Sequence, residues 1–498
     1  MTVRIAIIGA GFAGVSTAKT LSSLGYSVSV FEKESEVGGV WASSRRYPGL
    51  TTQNPRSTYA LSDFPMPDDY PEWPSGEQVQ RYFEDYITRF KLRKLIRFNT
   101  MVTAAELSAD QSYWTVTSKD ANGSGDDLKE EFDYLIICNG IFSTPSIPQY
   151  SGVDDWKAAG GEIVHTCQYT DLESVRDKNV VVIGYGKSSC DAAVATLGVS
   201  KSTTVLARNL IWKIPKKIAG VLNFKHLFLT RLGEGLFPYI ELNGFEKFLH
   251  GTGRPIRNAM LATVEAIIAA QLKLKKIGLH PGKPLETIAR STVSLVTPGF
   301  YEAIEKGTLA VKREAEIVAL RPGHAELSTG EVIPADYIIA GTGWIQHVPF
   351  LPKDLMAKIT DTNGDFRLYR SMLPVGVPRL AFNGYNSSFF SQLSCEAGAM
   401  WIAEYLRGAI EVPSVSEQKV DIDRRLCWMR ERTDGKHCRG TNIVPFSLHH
   451  IDELLDEAEL NVSSRVKFTQ WFSAVDPSVY AKNYEILEAR AMTSSQKE

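Results

Sequence analysis

The chain has 498 residues, 44% of them apolar and 22% charged, which is typical of a soluble globular protein with two or three domains. Its 55 basic and 57 acidic residues leave a net charge of −2, so there is no electrostatic basis for binding nucleic acid or an anionic membrane. The six cysteines are scattered, which excludes a C-x-x-C pair or a zinc-ligand spacing and predicts no metal site and a cytoplasmic protein with reduced thiols.

The first predicted unit is a strand, a glycine turn, a helix and a second strand, "VRIAIIGAGFAGVSTAKTLSSLGYSVSVFEK". Gly9, Gly11 and Gly14 form G-x-G-x-x-G, whose glycines permit the tight turn, the approach of a pyrophosphate and the packing of helix on strand. Glu32 closes the second strand, where a carboxylate accepts hydrogen bonds from ribose hydroxyls and repels a 2′-phosphate. The unit therefore predicts a site for FAD or NAD rather than NADP.

A second unit with the same layout follows about 175 residues later, "NVVVIGYGKSSCDAAVATLGVSKSTTVLARN". Gly184 and Gly186 begin its fingerprint, and Ser189 replaces the third glycine with another small residue. Arg208 stands where the first unit has its carboxylate, and a guanidinium pairs with a 2′-phosphate through two parallel hydrogen bonds. With Lys187 adding charge in the turn, this unit predicts a site for NADPH.

Strands that alternate with helices predict an α/β fold with two Rossmann-like dinucleotide-binding domains, the NADPH domain inserted in the FAD domain. The predicted limits are 1–165 for the first part of the FAD domain, 166–335 for the NADPH domain with a helical insertion at about 215–300, and 336–498 for the second part of the FAD domain and C-terminal helices. The apolar segment from Leu227 to Ile240 is too short and too interrupted to span a membrane, and it predicts a core or substrate-lining helix. A peripheral membrane contact is the alternative for that segment, and the sequence leaves the oligomeric state open.

The stretch "GGEIVHTCQYTD", residues 160–171, lies just before the second glycine turn. Gly161, His165 and Tyr169 fall on the pattern F-x-G-x-x-x-H-x-x-x-(Y/F/W) and resemble the class B flavin-dependent monooxygenases, which comprise the flavin-containing and the Baeyer–Villiger monooxygenases. Ala159 stands where that family has its leading aromatic residue, and Tyr169 is similar to the flavin-containing branch. The resemblance implies that His165 helps to hold the nicotinamide cofactor.

Three other stretches resemble the same family. "CNGIFSTPSIP" is similar to its turn after the first domain, and "GTGW", Gly341 to Trp344, resembles its turn near NADP. "SQLSCEAGAMWIAEYLRG" resembles its C-terminal FAD helix, for which Ser394 is the expected N-cap and Glu396 an acidic residue of the first turn. The predicted cofactor-binding residues are Gly9, Gly11, Phe12, Ala13, Gly14, Glu32, Lys33, Gly39, Val40, Trp41, Val102, Asn139, Gly140, Tyr185, Gly186, Lys187, Ser188, Ser189, Arg208, Thr342 and Gly343.

"YPGLTTQNPRSTYALSDFPMP" resembles the flavin-facing segment of both branches. Gln53 falls where flavin-containing monooxygenases have an asparagine and Baeyer–Villiger enzymes an aspartate, and Asn54 is adjacent, so either amide is a candidate. Baeyer–Villiger enzymes have an arginine at a place that Val293 occupies here, with Arg290 three residues earlier, which weakens the ketone-oxidising interpretation. Gln53, Asn54 and His165 are the predicted catalytic residues.

The resemblance implies an NADPH- and FAD-dependent monooxygenase that inserts one atom of dioxygen into a small organic substrate through a C4a-(hydro)peroxyflavin. The reaction expected first is N- or S-oxygenation, or hydroxylation of an electron-rich substrate. Baeyer–Villiger oxidation of a ketone is the alternative reaction. Two other classes remain consistent with the motifs: a quinone- or ferredoxin-type flavin reductase and an NADPH-sensing module. A disulfide reductase is excluded because the chain has neither C-x-x-C nor C-x4-C.

Overall fold

The computed structural model describes residues 2–123, 126–290, 294–386, 388–433 and 447–495. Its first large sheet has five parallel strands, and the helix Phe12–Ser23 lies between the glycine turn and the second of them in the chain. Two of its strands, Arg4–Ile8 and Tyr134–Ile137, are almost uniformly apolar rather than alternating, as expected of a parallel sheet that is covered on both faces. Across the sheet the order is Leu380–Phe382, Tyr134–Ile137, Arg4–Ile8, Ser27–Phe31 and Ile96–Arg97.

The second large sheet repeats this plan. It has five parallel strands, and the helix Lys187–Ala195 follows its glycine turn. Across the sheet the order is Glu162–His165, Tyr337–Ala340, Asn179–Ile183, Ser202–Ala207 and Ala310–Arg313. The α/β class with two Rossmann-like units that the sequence predicts is therefore confirmed.

In both units a three-stranded antiparallel meander precedes a strand of the large sheet. The two sheets differ in which part of the chain supplies one outermost strand. In the first unit that strand, Leu380–Phe382, comes from late in the chain, whereas in the second Glu162–His165 precedes the unit's glycine turn. The second sheet therefore extends slightly past the predicted limits of 166 and 335, and the domain limits themselves stay a prediction. The meanders are Thr100–Leu107, Trp114–Asp120 and Leu128–Phe132, and Ile317–Arg321, His324–Leu327 and Val332–Pro334.

Helices surround the two sheets. Within the predicted insertion they are Lys225–Phe228, Arg231–Gly235, Phe245–His250 and Arg254–Gln271. After the first sheet they are Ser391–Leu406, Val415–Thr433, Ser447–Glu457, Ser464–Thr469 and Lys482–Ser495. The others are Gly76–Arg89, Val153–Ala158, Phe300–Glu305 and Lys353–Ile359.

Short strand pairs complete the fold. Lys213–Ile214 lies parallel to Ser294–Leu295, and Lys217–Ile218 lies antiparallel to Leu222–Asn223. The remaining pairs are Thr144–Pro145 with Trp344–Ile345, and Leu368–Tyr369 with Leu373–Pro374.

The apolar segment of the insertion is packed inside the protein. Leu229, Leu236 and Phe237 are buried in the main hydrophobic core, as expected of core helices. Among the residues that the structure describes, no helix combines the length and the apolar character needed to cross a bilayer.

Candidate active site

The first glycine turn is shaped by close packing. Gly9 has a φ of +106°, and a Cβ on it would lie 2.6 Å from the carbonyl oxygen of Cys138. A Cβ on Gly14 would overlap the carbonyl of Gly9. Both positions therefore need glycine because the backbone itself fills the space.

Two other glycines are not required by the fold. Gly186 has a φ of −75°, which any residue adopts, and a Cβ on it would meet no protein atom within 4 Å. Gly11 has a φ of −80°, and the nearest atom to its Cβ would be Gly39 Cα at an ordinary 3.7 Å. The open space beside Gly11 and Gly186 lies at the N-termini of two helices, where unpaired N–H groups attract phosphate. Both turns therefore fit the diphosphate of a dinucleotide.

Glu32 lies buried at the end of the second strand of the first sheet. Its carboxylate accepts hydrogen bonds from the Ala10 N–H at 2.7 Å and the Glu34 N–H at 2.9 Å. Burial raises the pKa of this carboxyl, and the two N–H donors act against that rise. Glu32 thus fixes the glycine turn from within, in addition to the ribose contact predicted for it.

Ser189 takes the place of the third glycine in the second turn without opening it. Its hydroxyl lies 3.4 Å from the carbonyl oxygens of both Ile183 and Gly341. A Cβ on Gly184 would come within 2.8 Å of this hydroxyl. The serine therefore packs the second glycine turn against the start of the "GTGW" turn.

The two predicted 2′-phosphate cations differ in their surroundings. Arg208 is 62% exposed by its side chain and pairs with Glu316 at 3.2 Å, so its guanidinium lies at the surface beside the second sheet. Lys187 is held instead by the buried carboxylate of Asp191, which also accepts a hydrogen bond from Thr297. Lys187 therefore takes part in an internal ion pair, and the charge that it adds to the turn stays a prediction.

His165 is completely buried at the end of the outermost strand of the second sheet. Its Nδ1 accepts from the Cys167 N–H at 3.3 Å, so the proton lies on Nε2, which donates to the Gly343 carbonyl at 3.0 Å. Its ring also meets Trp344 edge-on at 4.6 Å. Burial lowers the pKa of His165 to about 4, so the imidazole is neutral and holds the "GTGW" turn in place.

An aromatic ring packs on Gly161 although Ala159 replaces the aromatic residue of the motif. The ring belongs to Trp156 on the preceding helix, and a Cβ on Gly161 would overlap its indole. Trp156 is buried and donates from Nε1 to the Ala335 carbonyl at 2.8 Å. The motif does not include this residue, and the only signal in the sequence is a tryptophan one helical turn before Ala159.

Arg45 also joins this region. Its guanidinium donates to the Phe142 carbonyl at 2.6 Å and lies 5.1 Å from the centre of the Trp344 ring. Its contacts place it between the first glycine unit and the "GTGW" turn.

The two candidate amides have different environments. Asn54 is 2% exposed and donates from Nδ2 to the Phe389 carbonyl at 2.6 Å. Gln53 is partly buried and accepts at Oε1 from the Leu295 N–H at 3.3 Å. Val293 lies outside the described residues, as does the side chain of Arg290, so the arginine comparison stays a prediction.

The C-terminal FAD helix begins earlier than expected. It starts at Ser391 with Phe390 before it, so Ser394 lies inside the helix and is not its N-cap. Glu396 is likewise not in the first turn; it is fully buried and accepts hydrogen bonds from Ser62 and from the Tyr484 hydroxyl. The prediction failed because this helix is buried on all sides, so that no apolar periodicity marks its start.

Most of the remaining predicted residues lie at the carboxyl ends of parallel strands, where dinucleotides bind in open α/β sheets. Asn139 bridges the His347 carbonyl at 3.0 Å and the Tyr385 hydroxyl at 2.7 Å. Thr342 donates to the Ser146 carbonyl. After strands of the first sheet come Phe12, Ala13, Lys33 and Gly140, and after a strand of the second sheet come Tyr185 and Ser188. A short 3₁₀ turn is formed by Gly39, Val40 and Trp41. Val102 differs from these residues, because it is buried in the antiparallel meander of the first unit.

Comparisons with known proteins agree with this arrangement. The flavin-binding monooxygenase-like family matches residues 2–472. The probable flavin-containing monooxygenase 1 of Arabidopsis thaliana is 25% identical over 496 residues, which cover 92% of each chain. Flavin-containing monooxygenase 1 of Canis lupus familiaris is 25% identical over 449 residues, 85% of this chain and 77% of that protein.

Two solved structures share the fold over nearly the whole chain. The S-allyl-L-cysteine S-oxygenase of Allium sativum superposes with a TM-score of 0.65 at 20% identity and covers 100% of this chain and 99% of its own. Cyclohexanone monooxygenase with bound ε-caprolactone gives a TM-score of 0.67 at 17% identity, with coverages of 92% and 98%. The family match removes the reductase and the sensing module that the motifs left open. The chain belongs to the flavin-binding monooxygenase-like family and is an FAD- and NADPH-dependent monooxygenase.

Proposed function

We propose that this monooxygenase oxygenates soft nucleophiles, the nitrogen of an amine or the sulfur of a thioether, in preference to ketones. The observation that supports this is that the three candidate catalytic side chains are uncharged at neutral pH: two amides and a histidine whose pKa lies at about 4. When bound, FAD reduced by NADPH supplies the oxygen-transfer chemistry. The protein then needs neutral hydrogen-bonding groups around the reacting atoms rather than an acid–base pair.

Gln53 is the amide that we assign to the substrate side. Within the described part of the chain its NH₂ group has no acceptor, whereas the NH₂ group of Asn54 donates to the Phe389 carbonyl. Gln53 therefore keeps a donor for an oxygen atom of the substrate or the cofactor, and Asn54 fixes the segment on which Gln53 stands.

The two dinucleotide units supply the contacts with the cofactors. The helices that begin at Phe12 and Lys187 direct N–H groups at the diphosphates of FAD and NADPH. Glu32 accepts from the FAD ribose, and Arg208 binds the 2′-phosphate of NADPH. His165 acts through the "GTGW" turn and not as a proton carrier, since its ring nitrogens both have protein partners.

The test is product analysis with ¹⁸O₂. The FAD-loaded enzyme, supplied with NADPH, is offered a thioether, a tertiary amine, a phenol and a cyclic ketone of similar size. We expect one ¹⁸O atom in a sulfoxide or an N-oxide, and less product from the ketone. A lactone as the dominant product would contradict the proposal and support Baeyer–Villiger oxidation.

We also propose that the enzyme works in the cytoplasm. The five cysteines among the described residues are all free thiols, and three of them, Cys138, Cys190 and Cys395, are buried; Cys438 lies outside those residues. Thiol titration of freshly isolated protein from intact cells tests this. Six titratable thiols after unfolding are expected, and a disulfide in that material would contradict a reducing compartment.

A further inference from the structure

Lys213 is a lysine buried inside the protein, with only 1% of its surface exposed. It lies on the short strand Lys213–Ile214, between the second glycine turn and the predicted insertion. A buried ammonium is costly unless its donors are satisfied, so its partners indicate what holds it there.

One partner of Lys213 belongs to the NADPH turn. Its Nζ donates to the carbonyl oxygen of Tyr185 at 2.8 Å and lies 4.6 Å from the centre of the Tyr185 ring. Tyr185 is the middle residue of G-Y-G, between Gly184 and Gly186. The lysine therefore fixes both the peptide and the ring of the residue around which this turn bends.

A second contact leads towards the candidate catalytic amide. Nζ also lies 3.3 Å from the hydroxyl of Ser294, and the strand Ser294–Leu295 pairs in parallel with Lys213–Ile214. The next residue along that strand, Leu295, donates its N–H to Gln53. A short path of direct contacts thus joins the NADPH turn to Gln53.

We propose that Lys213 is a positioning residue that holds the Tyr185–Gly186 turn in the shape that NADPH binds and links this turn to the segment carrying Gln53. The first part depends only on the turn being the NADPH site, and the second part rests on the proposed function of Gln53. Burial lowers the pKa of Lys213, and either protonation state still donates to the Tyr185 carbonyl.

The test replaces Lys213 by methionine, which keeps the hydrocarbon volume and removes the donor. We expect the K213M protein to retain FAD and to bind NADP⁺ at least tenfold more weakly by titration calorimetry. We also expect faster amide hydrogen exchange across residues 184–189 and a lower ratio of oxygenated product to NADPH consumed. Lys217→Met is the matched control, since Lys217 is exposed on the neighbouring short strand.

Wild-type NADP⁺ affinity and wild-type exchange in K213M would overturn the proposal. If K213M does not retain FAD, Lys213→Gln, which keeps a polar end in this buried site but is one bond too short to keep the 2.8 Å contact with the Tyr185 carbonyl, is measured by the same criteria. K213Q with unchanged NADP⁺ binding would equally overturn it. The calorimetric result needs no substrate, so it is independent of whether amines and thioethers are oxygenated.

Discussion

At the scale of single residues, Arg208 and Glu316 form an ion pair at the edge of the second sheet. We expect Arg208→Ala to raise KM for NADPH about 10- to 100-fold and to leave KM for NADH nearly unchanged, since a charge-assisted hydrogen bond contributes about 1.5–3 kcal/mol. Glu316→Gln should slightly lower KM for NADPH because it removes the competitor for the guanidinium. Steady-state kinetics with both nucleotides measure this, and an equal loss with NADH would place the 2′-phosphate elsewhere.

His165 predicts a pH dependence of stability. Its pKa in the folded protein is about 4, below the ordinary 6.5, so between these values the unfolded chain binds more protons than the folded one. The stability contributed by neutral His165 is therefore present above pH 6.5 and is lost as the pH falls towards 4. The urea midpoint of unfolding should fall further between pH 7.5 and pH 5 for the wild type than for His165→Asn. Parallel falls would show that the imidazole is not buried in its neutral form.

At the scale of elements, the two glycine turns differ in what requires their glycines. Gly14→Ala should abolish FAD retention because the new methyl group would overlap the Gly9 carbonyl. Gly186→Ala should leave FAD content and the melting temperature unchanged but weaken NADP⁺ binding, since no protein atom lies within 4 Å of the new methyl group. FAD absorbance and NADP⁺ titration distinguish the two. A destabilised G186A that still binds NADP⁺ would refute the assignment of that clearance to the dinucleotide.

The helix Ser391–Leu406 carries a second pH-dependent group. Burial raises the pKa of Glu396 from 4.5 to about 7, so the folded protein binds the additional proton between these values. The contribution of Glu396 to the stability of the folded protein is therefore fully present below pH 4.5 and is lost as the pH rises through 7. Relative to Glu396→Gln, the wild type should lose about 3 kcal/mol between pH 4.5 and pH 8.

Urea unfolding at both pH values measures this loss, with Glu411→Gln as an exposed control. The expected outcome is a difference between wild type and E396Q that changes with pH while the control follows the wild type. A constant difference would mean that the hydrogen bonds from Ser62 and Tyr484 keep the carboxylate ionised throughout.

At the scale of the whole molecule, one carboxylate joins the two dinucleotide units. Asp191, on the helix after the second glycine turn, accepts from the Tyr47 hydroxyl at 3.1 Å, and Tyr47 follows the first unit along the chain. We expect Tyr47→Phe to slow flavin reduction at saturating NADPH about tenfold, because a hydrogen bond to a charged group that aligns the units is lost. FAD content and NADP⁺ affinity should not change.

Stopped-flow anaerobic reduction checks that expectation, with Tyr113→Phe as a control in the antiparallel meander region. An unchanged reduction rate in Y47F would mean that the relative position of the two units does not depend on this contact.

The sequence predicted what depends on local pattern and missed what depends on packing between distant segments. The glycine turns, Glu32 and the strands that precede them could be predicted because spacing within about 30 residues determines them. Trp156 on Gly161 and Lys213 under Tyr185 could not, since neither residue has a pattern that distinguishes it from a surface residue. Ser394 was placed wrongly because a helix buried on every side has no polar face to mark where it begins.

The different origin of the outermost strands sets an order of assembly during synthesis. The second sheet has all its strands once residue 340 has left the ribosome, whereas the first still lacks Leu380–Phe382. Until that strand arrives, the apolar strand Tyr134–Ile137 is an open edge able to pair with another chain. A nascent chain stalled between residues 340 and 380 would therefore have a complete second sheet and a first sheet with an aggregation-prone open edge.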